Sequence, residues 1–325
     1  MADGRKKIKI VLRILGPAIF IYILFQINYG FFFAEIKSIG WPFLILAVFF
    51  TAANIIFKSL RWRTILLSLD IAIGRAEAIS LYWLGLFVGA VTPGRFGELI
   101  KIYFLKIRGR DLFRSFFSII LDRLSDIMIL LGIGLLISFF FLEALGSYII
   151  LLGLALVLII MVIILLLNQK SWLHRIFGRF IKKIFSVDFE EYDHFSFKKL
   201  WRGIIGLRKK DLIYFFVFLI LSWFFYFLTG YVVSLSLGLS LSLVNIIIIT
   251  SVITLVITLP ISIAGLGTRE VSVIYLFGLF GLSRETAVLY SLLIFMVDIL
   301  TVSLGIIPYF KESALVNRVK NGKIT

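Results

Sequence analysis

Long uninterrupted apolar runs constrain this chain more than any other feature of its sequence. Six runs have roughly the 17–25 residues of a membrane-spanning helix: Ile10–Ile27, Trp41–Phe57, Phe116–Phe141, Tyr148–Leu167, Leu212–Ser234 and Ala287–Pro308. Their side chains are continuously apolar and do not alternate, which excludes a transmembrane β-barrel. Hydrophobic residues make up 61% of the 325 residues and charged residues only 16%, a composition that excludes a soluble domain. The sequence predicts an all-α polytopic membrane protein with about six full transmembrane helices, in a single integral membrane domain over residues 1–325.

Two further apolar regions, 78–107 and 244–280, are interrupted by proline and glycine. Their continuous pieces are Ala78–Val91, Leu99–Leu105, Val244–Leu259 and Val271–Phe280. A helix that rises ~1.5 Å per residue needs roughly 20 residues to cross a hydrocarbon core of about 30 Å. We therefore expect half-helices that turn back inside the membrane as two re-entrant helical hairpins.

The basic residues orient these segments, because Lys and Arg concentrate in cytoplasmic loops. The chain has 34 Lys and Arg against 18 Asp and Glu. Cytoplasmic loops account for this excess of basic residues, so it does not indicate a nucleic-acid partner. Their distribution predicts a multi-pass protein of the cell (plasma) membrane with the N- and C-termini in the cytoplasm. Region 78–107 then enters from the cytoplasm and region 244–280 from outside. Similar segments of opposite orientation are typical of the inverted repeats of transporters.

A constant offset along the chain supports the inverted repeat. The separation between Glu98 and Glu270 equals the separation between Asp126 and Asp298, in a chain that has few acidic residues. The predicted repeats cover about residues 41–141 and about residues 212–308.

The segment 168–211 is predicted to be a cytoplasmic amphipathic loop. Within 172–185 the apolar residues recur at helical spacing and basic residues occupy the other side. This pattern predicts an interfacial helix on the anionic lipid of the inner leaflet. The alternative is a helix packed beneath the membrane core.

Each break in the two apolar regions combines helix-ending residues with one Arg and one Glu. The first break holds Pro93, Gly94, Arg95, Gly97 and Glu98, and the second holds Pro260, Gly265, Gly267, Arg269 and Glu270. Proline and glycine end helices, and the freed N–H groups suit an anion. Arginine adds a charge that matches phosphate. We predict a binding site for a phosphate headgroup, against the alternative that each Glu only starts a helix and pairs with its neighbouring Arg.

Ionisable residues at membrane depth favour a functional interpretation. The candidates for proton or ion coupling are Glu98, Glu270, Asp122, Asp126 and Asp298, with Arg123 as the partner in a structural ion pair. The alternative is that these acids only hold helices together. Four polar residues that end the second span, Asn54, Lys58, Arg61 and Arg63, are expected to anchor it at the inner leaflet. The chain has no cysteine and two histidines, so we expect no metal and no cofactor.

These motifs resemble a known family. The matching pieces are Lys58–Arg63, Thr92–Glu98, Asp122–Leu124 and Pro260–Glu270, and together they resemble the flippase-like family, also called the lysylphosphatidylglycerol synthase transmembrane region. The resemblance implies lipid translocation between leaflets. In the bacterial multiple peptide resistance factor such a membrane domain flips aminoacylated phosphatidylglycerol, and a soluble aminoacyl-transferase domain follows it.

No such soluble domain is recognisable here, so we expect a transporter and not an enzyme. The expected partners are membrane lipids with phosphate headgroups: phospholipids, aminoacyl-phospholipids or polyprenyl-phosphate lipids. Two alternatives are an integral-membrane enzyme of glycolipid or polyprenyl-phosphate pathways and a non-catalytic accessory subunit of cell-envelope biogenesis. The lipid, the direction of transport, the coupling ion and the oligomeric state, a homo-oligomer included, stay open.

Overall fold

The computed structural model describes residues 16–90, 92, 97–140, 209–258 and 265–312. These residues form helices and loops without a strand. The helices are α1 (Gly16–Gln26), α2 (Tyr29–Lys37), α3 (Trp41–Ser68), α4 (Arg75–Ala90), α5 (Ile100–Ile107), α6 (Leu112–Phe140), α7 (Lys209–Ser236), α8 (Leu243–Thr258), α9 (Thr268–Leu279) and α10 (Arg284–Ser303). The predicted span Tyr148–Leu167 and the predicted amphipathic helix at 172–185 lie outside the described residues.

Within the described ranges, three stretches are long and apolar enough to cross a membrane: α3, α7, and α10 with its helical extension to Glu312. Helices α1 and α2 add a fourth if they are taken as one span, although they meet at an angle of 93°. Another helix, α6, has 29 residues. The prediction of an all-helical, multi-pass membrane protein is therefore confirmed.

The segment after α1 forms a second helix, α2. The Asn28 side chain accepts a hydrogen bond from the N–H of Phe31 and so caps the start of α2. Contacts with the start of α10 hold this helix in place. The Thr286 hydroxyl donates to Glu35 over 2.5 Å, and the N–H of Asn28 donates to the Glu285 carboxylate over 3.0 Å.

The two interrupted regions form pairs of short helices at the predicted places. Helices α4 and α5 have 16 and 8 residues, and α8 and α9 have 16 and 12. All four are shorter than the roughly 20 residues of a full span. The turns at 93–96 and 259–264 lie outside the described residues.

Helix boundaries repeat between the first half (α3–α6) and the second half (α7–α10). Helices α3 and α7 each have 28 residues, and α4 and α8 each have 16. The starts of α3 and α7 are separated by the same number of residues as the starts of α4 and α8. We call this separation the short offset. A slightly larger separation, the long offset, carries the end of α5 onto that of α9 and the start of α6 onto that of α10. The two offsets differ because α9 has 12 residues and α5 has 8, and the long offset is the one that relates Glu98 to Glu270.

The turns between the helices repeat as well. Asp70 after α3 and Gly238 after α7 both have left-handed backbone angles, with φ of 59° and 67°, and are related by the short offset. Gly109 before α6 and Gly281 before α10 both have φ of 70° and are related by the long offset. L-residues rarely adopt this conformation, so its recurrence at matched positions relates the two halves by more than helix length.

Equivalent helices α3 and α7 pack antiparallel. Near the start of α3 the N–H of Gly40 donates to the carbonyl of Ser236 over 2.8 Å, and further along Phe57 packs on Phe218. Between them, Asn54 donates to the carbonyl of Ser222 over 2.5 Å. Asn54 and Ser222 are themselves related by the short offset, so the two helices cross at equivalent positions. An inverted repeat requires this relation between its halves.

Candidate functional site

A buried arginine of α3 ties the first half together. Arg61 has no exposed surface, and its guanidinium donates to Asp122 over 2.7 and 2.9 Å and to Asp126 over 2.7 Å. Both acids lie on one face of α6, four residues apart, as their spacing predicts. Charge-assisted bonds of this kind are the strong ones, and removing one partner leaves a buried charge uncompensated.

The expectation that Arg61 anchors the second span at the inner leaflet is wrong. Helix α3 continues to Ser68, and Arg61 lies on the same helix face as Asn54 and Lys58, at spacings of seven and three residues. Lys58 places its Nζ 3.5 Å from the second oxygen of Asp126. The spacing was visible in the sequence, but a cluster of basic residues after an apolar run also satisfies the positive-inside rule.

Both α6 carboxylates have further partners. The Tyr82 hydroxyl of α4 donates to Asp122 over 2.9 Å, and the indole N–H of Trp223 in α7 donates to Asp126 over 3.2 Å. Asp122 and Asp126, predicted to be coupling residues, therefore join α3, α4, α6 and α7.

A second buried cation lies beside this network. Lys101 of α5 has no exposed surface and places its Nζ 3.5 Å from Glu98. It also lies 4.2 Å from the ring centroid of Tyr82 and 5.0 Å from that of Trp62, a cation–π arrangement. The other oxygen of Glu98 accepts a hydrogen bond from Arg123, which thus forms its ion pair with the first break.

These contacts define the charge cluster, which contains Lys58, Arg61, Glu98, Lys101, Asp122, Arg123 and Asp126. Ion pairs join its four basic and three acidic side chains into two groups, one around Arg61 and one around Glu98, and Tyr82 contacts both groups. Sequence reasoning missed Lys101 because an isolated lysine in a short helix carries no periodic signal.

The first break is described in part. Pro93, Gly94 and Arg95 lie outside the described residues. The N–H of Gly97 donates to the Thr92 hydroxyl over 2.8 Å, and a Cβ at Gly97 would collide with the carbonyl oxygen of Val88. Only glycine allows this close backbone approach.

In the second break, Glu270 is completely buried at the start of α9. One carboxylate oxygen accepts from the N–H of Gly267 over 2.6 Å, as in a helix-capping interaction. The other accepts from the Ser291 hydroxyl over 2.7 Å and lies 3.4 Å from Nε of Arg269. Gly265 and Gly267 have φ of 79° and 80°, which explains why glycine occupies both positions. Glu270 thus starts the helix and contacts the arginine, as the alternative interpretation expected.

Arg269 has a nitrogen that finds no partner in the described part of the chain. The residue is only 4% exposed, and its guanidinium lies 4.7 Å from the ring centroid of Phe295. Among the described residues, no acceptor reaches its Nη2 atom. A buried donor without an acceptor is costly, and the cost is greater for a charged group. An anionic ligand would satisfy this nitrogen.

Arg269 lines a cleft between the helices of the second half. The cleft is narrow, with a cavity volume of about 30 Å³, and its walls include Tyr226, Gly230, Thr250, Arg269, Tyr290 and Asp298. The predicted residues Arg269 and Asp298 thus come together here, with Glu270 behind the cleft wall at Ser291. The first-half residues Glu98, Asp122, Arg123 and Asp126 come together in the charge cluster instead.

One contact links the two sites. Lys58 of the charge cluster lies 5.7 Å from the ring centroid of Trp223 and 5.8 Å from that of Tyr226, which lines the cleft. The Tyr226 hydroxyl in turn is 3.0 Å from that of Thr254.

The apolar helices define a multi-pass membrane protein, and these charged groups lie buried among its helices. More specifically, the chain belongs to the family of the lysylphosphatidylglycerol synthase TM region, whose model matches residues 10–305. It is also similar to a UPF0104 membrane protein of Pyrococcus horikoshii, with 24% identity over 272 residues, which cover 77% of this chain and 81% of that protein. No solved structure matches the chain. The family resemblance found in the sequence is confirmed.

Proposed function

We propose that this chain moves a phosphate-containing lipid between the two leaflets of its membrane. The observation that carries the proposal is the buried Nη2 of Arg269 in the wall of the cleft, which no acceptor among the described residues reaches. A phosphate accepts the two parallel N–H bonds that a guanidinium offers. Phe295 packs against the guanidinium plane and holds it in one orientation.

The family name supports a lipid of this class as the substrate. The name refers to lysylphosphatidylglycerol, a lipid with a phosphate and an amine, and the cleft offers Arg269 and the carboxylate of Asp298. Phospholipids, aminoacyl-phospholipids and polyprenyl-phosphate lipids all carry the phosphate that Arg269 would bind. Arg95 of the first break remains a predicted phosphate ligand.

We also propose that buried carboxylates take up protons as the lipid binds. Burial disfavours the charged form of a carboxylate, and a neighbouring cation favours it. Arg269 lies 3.4 Å from Glu270, so a phosphate that engages the arginine weakens its effect on the carboxylate. The coupling residues would be Glu98, Glu270, Asp122, Asp126 and Asp298.

The proposed topology has six full spans and two oppositely oriented re-entrant hairpins, α4–α5 and α8–α9, in an inverted repeat within the plasma membrane. The antiparallel packing of α3 and α7 at equivalent positions supports it. So do the short helices of both hairpins, which do not reach across the bilayer. Both termini would face the cytoplasm.

A reconstituted transport assay tests the proposal. The purified full chain is placed in phosphatidylcholine vesicles that contain a fluorescent phosphatidylglycerol or polyprenyl-phosphate analogue, and the accessible fraction is followed with an impermeant quencher. We expect wild-type protein to equilibrate at least one analogue faster than empty vesicles do. Arg269→Ala should slow the rate by about tenfold or more, since it removes a charged hydrogen bond worth roughly 1.5–3 kcal/mol, and Arg269→Lys should recover part of it.

Arg284→Ala is the matched control. Arg284 is an exposed arginine of the same half that bonds Gln26, so its removal should leave transport unchanged. Wild-type rates equal to those of empty vesicles for every analogue would refute the transport function. Chemical conversion of the lipid, seen by mass spectrometry, would indicate the enzyme. The absence of both transport and conversion would indicate the accessory subunit.

A further inference from the structure

Positions of the two halves that are related by the offsets carry different side chains. In the first half, the indole N–H of Trp62 donates to the Ser118 hydroxyl over 3.0 Å. Their equivalents are Gly230, by the short offset, and Tyr290, by the long offset. These two are also in contact, since the Tyr290 hydroxyl donates to the Gly230 carbonyl over 3.3 Å. The same place in the two halves can therefore be compared residue by residue.

In the first half, large or charged side chains fill this place. Trp62, Arg61 and Lys101 have no exposed surface, and Tyr82 is 3% exposed. The equivalent residues of the second half are smaller: Gly230 for Trp62, Thr229 for Arg61 and Thr250 for Tyr82 by the short offset, and Val273 for Lys101 by the long offset. All four of these smaller residues line the cleft. The cleft thus occupies the space that side chains fill in the first half.

Some residues of the cleft are instead larger than their first-half equivalents: Ile253 for Gly85 by the short offset, and Arg269 for Gly97 and Tyr290 for Ser118 by the long offset. However, the ring of Tyr290 packs against Phe277, with 5.0 Å between the centroids, and so takes up only part of the space that Gly230 leaves open.

The two places also differ in charge. The first half contains its own ammonium group, since Lys101 lies between two aromatic rings and a carboxylate. The second half has the apolar Val273 at the position equivalent by the long offset, and Arg269 at the position equivalent by the short offset, which also relates the starts of α5 and α9. It also has a guanidinium nitrogen without an acceptor among the described residues.

From these differences we infer that the protein has one vacant headgroup site, around Gly230 and Arg269 in the second half. In the first half the chain's own Lys101 ammonium and Trp62 indole occupy the equivalent place. This inference rests on the proposed function and makes the halves unequal: the second binds the phosphate headgroup, and the first is filled by protein. It also makes Arg269 more important for lipid binding than Arg95.

Gly230 is the position at which this inference can be tested. A Cβ there would lie 3.0 Å from the Tyr290 hydroxyl and 3.0 Å from the Thr250 hydroxyl, so any added side chain enters the cleft. Gly230→Trp gives the second half the residue that the first half has. Gly278→Trp is the matched control, because Gly278 is exposed on α9 and has no neighbour within 4 Å of an added Cβ.

The experiment measures binding of dihexanoyl-phosphatidylglycerol to the detergent-solubilised full chain by isothermal titration calorimetry. We expect Gly230→Trp to weaken binding at least tenfold and Gly230→Ala to weaken it less. The lipid affinity should stay within twofold of wild type in the control Gly278→Trp. The same holds for the first-half variants Lys101→Met and Trp62→Phe. Gel filtration and thermal denaturation verify that each variant is folded.

Three results would overturn the inference: no binding by wild type, unchanged affinity in both Gly230 variants, or equal losses in Lys101→Met and Gly230→Trp. Where Gly230→Trp does not fold, Gly230→Ala decides. The transport assay separates this inference from the proposed function. A chain that binds the lipid with the expected pattern but does not move it retains the site and refutes transport. If variants in either half slow transport equally, the single site is refuted and the transport function is retained.

Discussion

The strongest consequence for stability follows from Arg61. Replacing it with methionine leaves the buried Asp122 carboxylate and the half-buried Asp126 carboxylate without the guanidinium that contacts both. Removing one partner of a buried ion pair costs about 3–5 kcal/mol. Asp126 retains Lys58 and Trp223, whereas Asp122 retains the Tyr82 hydroxyl, so we place the loss near the lower end, at about 3 kcal/mol.

The measurement is the free energy of unfolding in mixed micelles, from titration with dodecyl sulfate followed by circular dichroism. Arg75→Met is the matched control, because Arg75 is exposed at the start of α4 and surface substitutions usually change stability by less than about 0.5 kcal/mol. The double variant Arg61→Met/Asp122→Leu should regain part of the loss, since an apolar pair avoids the buried unpaired charge.

The outcome decides between two roles for Arg61. An arginine that only anchors a helix at the inner leaflet would cost about 1 kcal/mol or less, as exposed ion pairs do. If Arg61→Met is as stable as Arg75→Met, the buried network does not hold the first half together, and our account of α3 is wrong.

Two further predictions concern topology and protons. Single cysteines at Arg110 and Gly281, both exposed, should react with an impermeant thiol reagent from opposite sides, the first only from the cytoplasm; labelling of both from outside would contradict the inverted repeat. Glu98→Gln and Glu270→Gln should change the shape of the transport rate between about pH 5 and 9, because each removes a proton-binding group, whereas Glu285→Gln outside the breaks should not. Profiles that superimpose on wild type would limit both glutamates to helix starts and ion pairs.

The sequence predicts the interrupted helices well because proline and glycine act locally. Helices α4 and α8 end at Ala90 and Thr258, close to the prolines and glycines that end the apolar runs in the sequence. The long offset could also be recognised in the sequence, because Glu98 and Glu270 are separated by it.

The rest depends on contacts that a single chain does not display. The short offset, which relates α3 to α7 and α4 to α8, is not visible without their helix ends. Arg61 was misassigned because a basic cluster after an apolar run has the same composition whether it faces lipid headgroups or Asp122. The cleft was not predictable at all, since it depends on the size of Gly230 relative to Trp62 in another repeat.

The pairing of α3 with α7 has a consequence for how the chain is made. Asn54 bonds a residue 168 positions further along, and Arg61 bonds Asp122, 61 positions further along. At a synthesis rate of roughly 5–20 residues per second, α3 waits about 3–12 s for its carboxylate and about 8–34 s for α7. During this interval the helix carries a charge and an amide that the lipid cannot satisfy. We therefore expect α3 to stay in contact with the insertion machinery long after it has been synthesised, until the second half arrives.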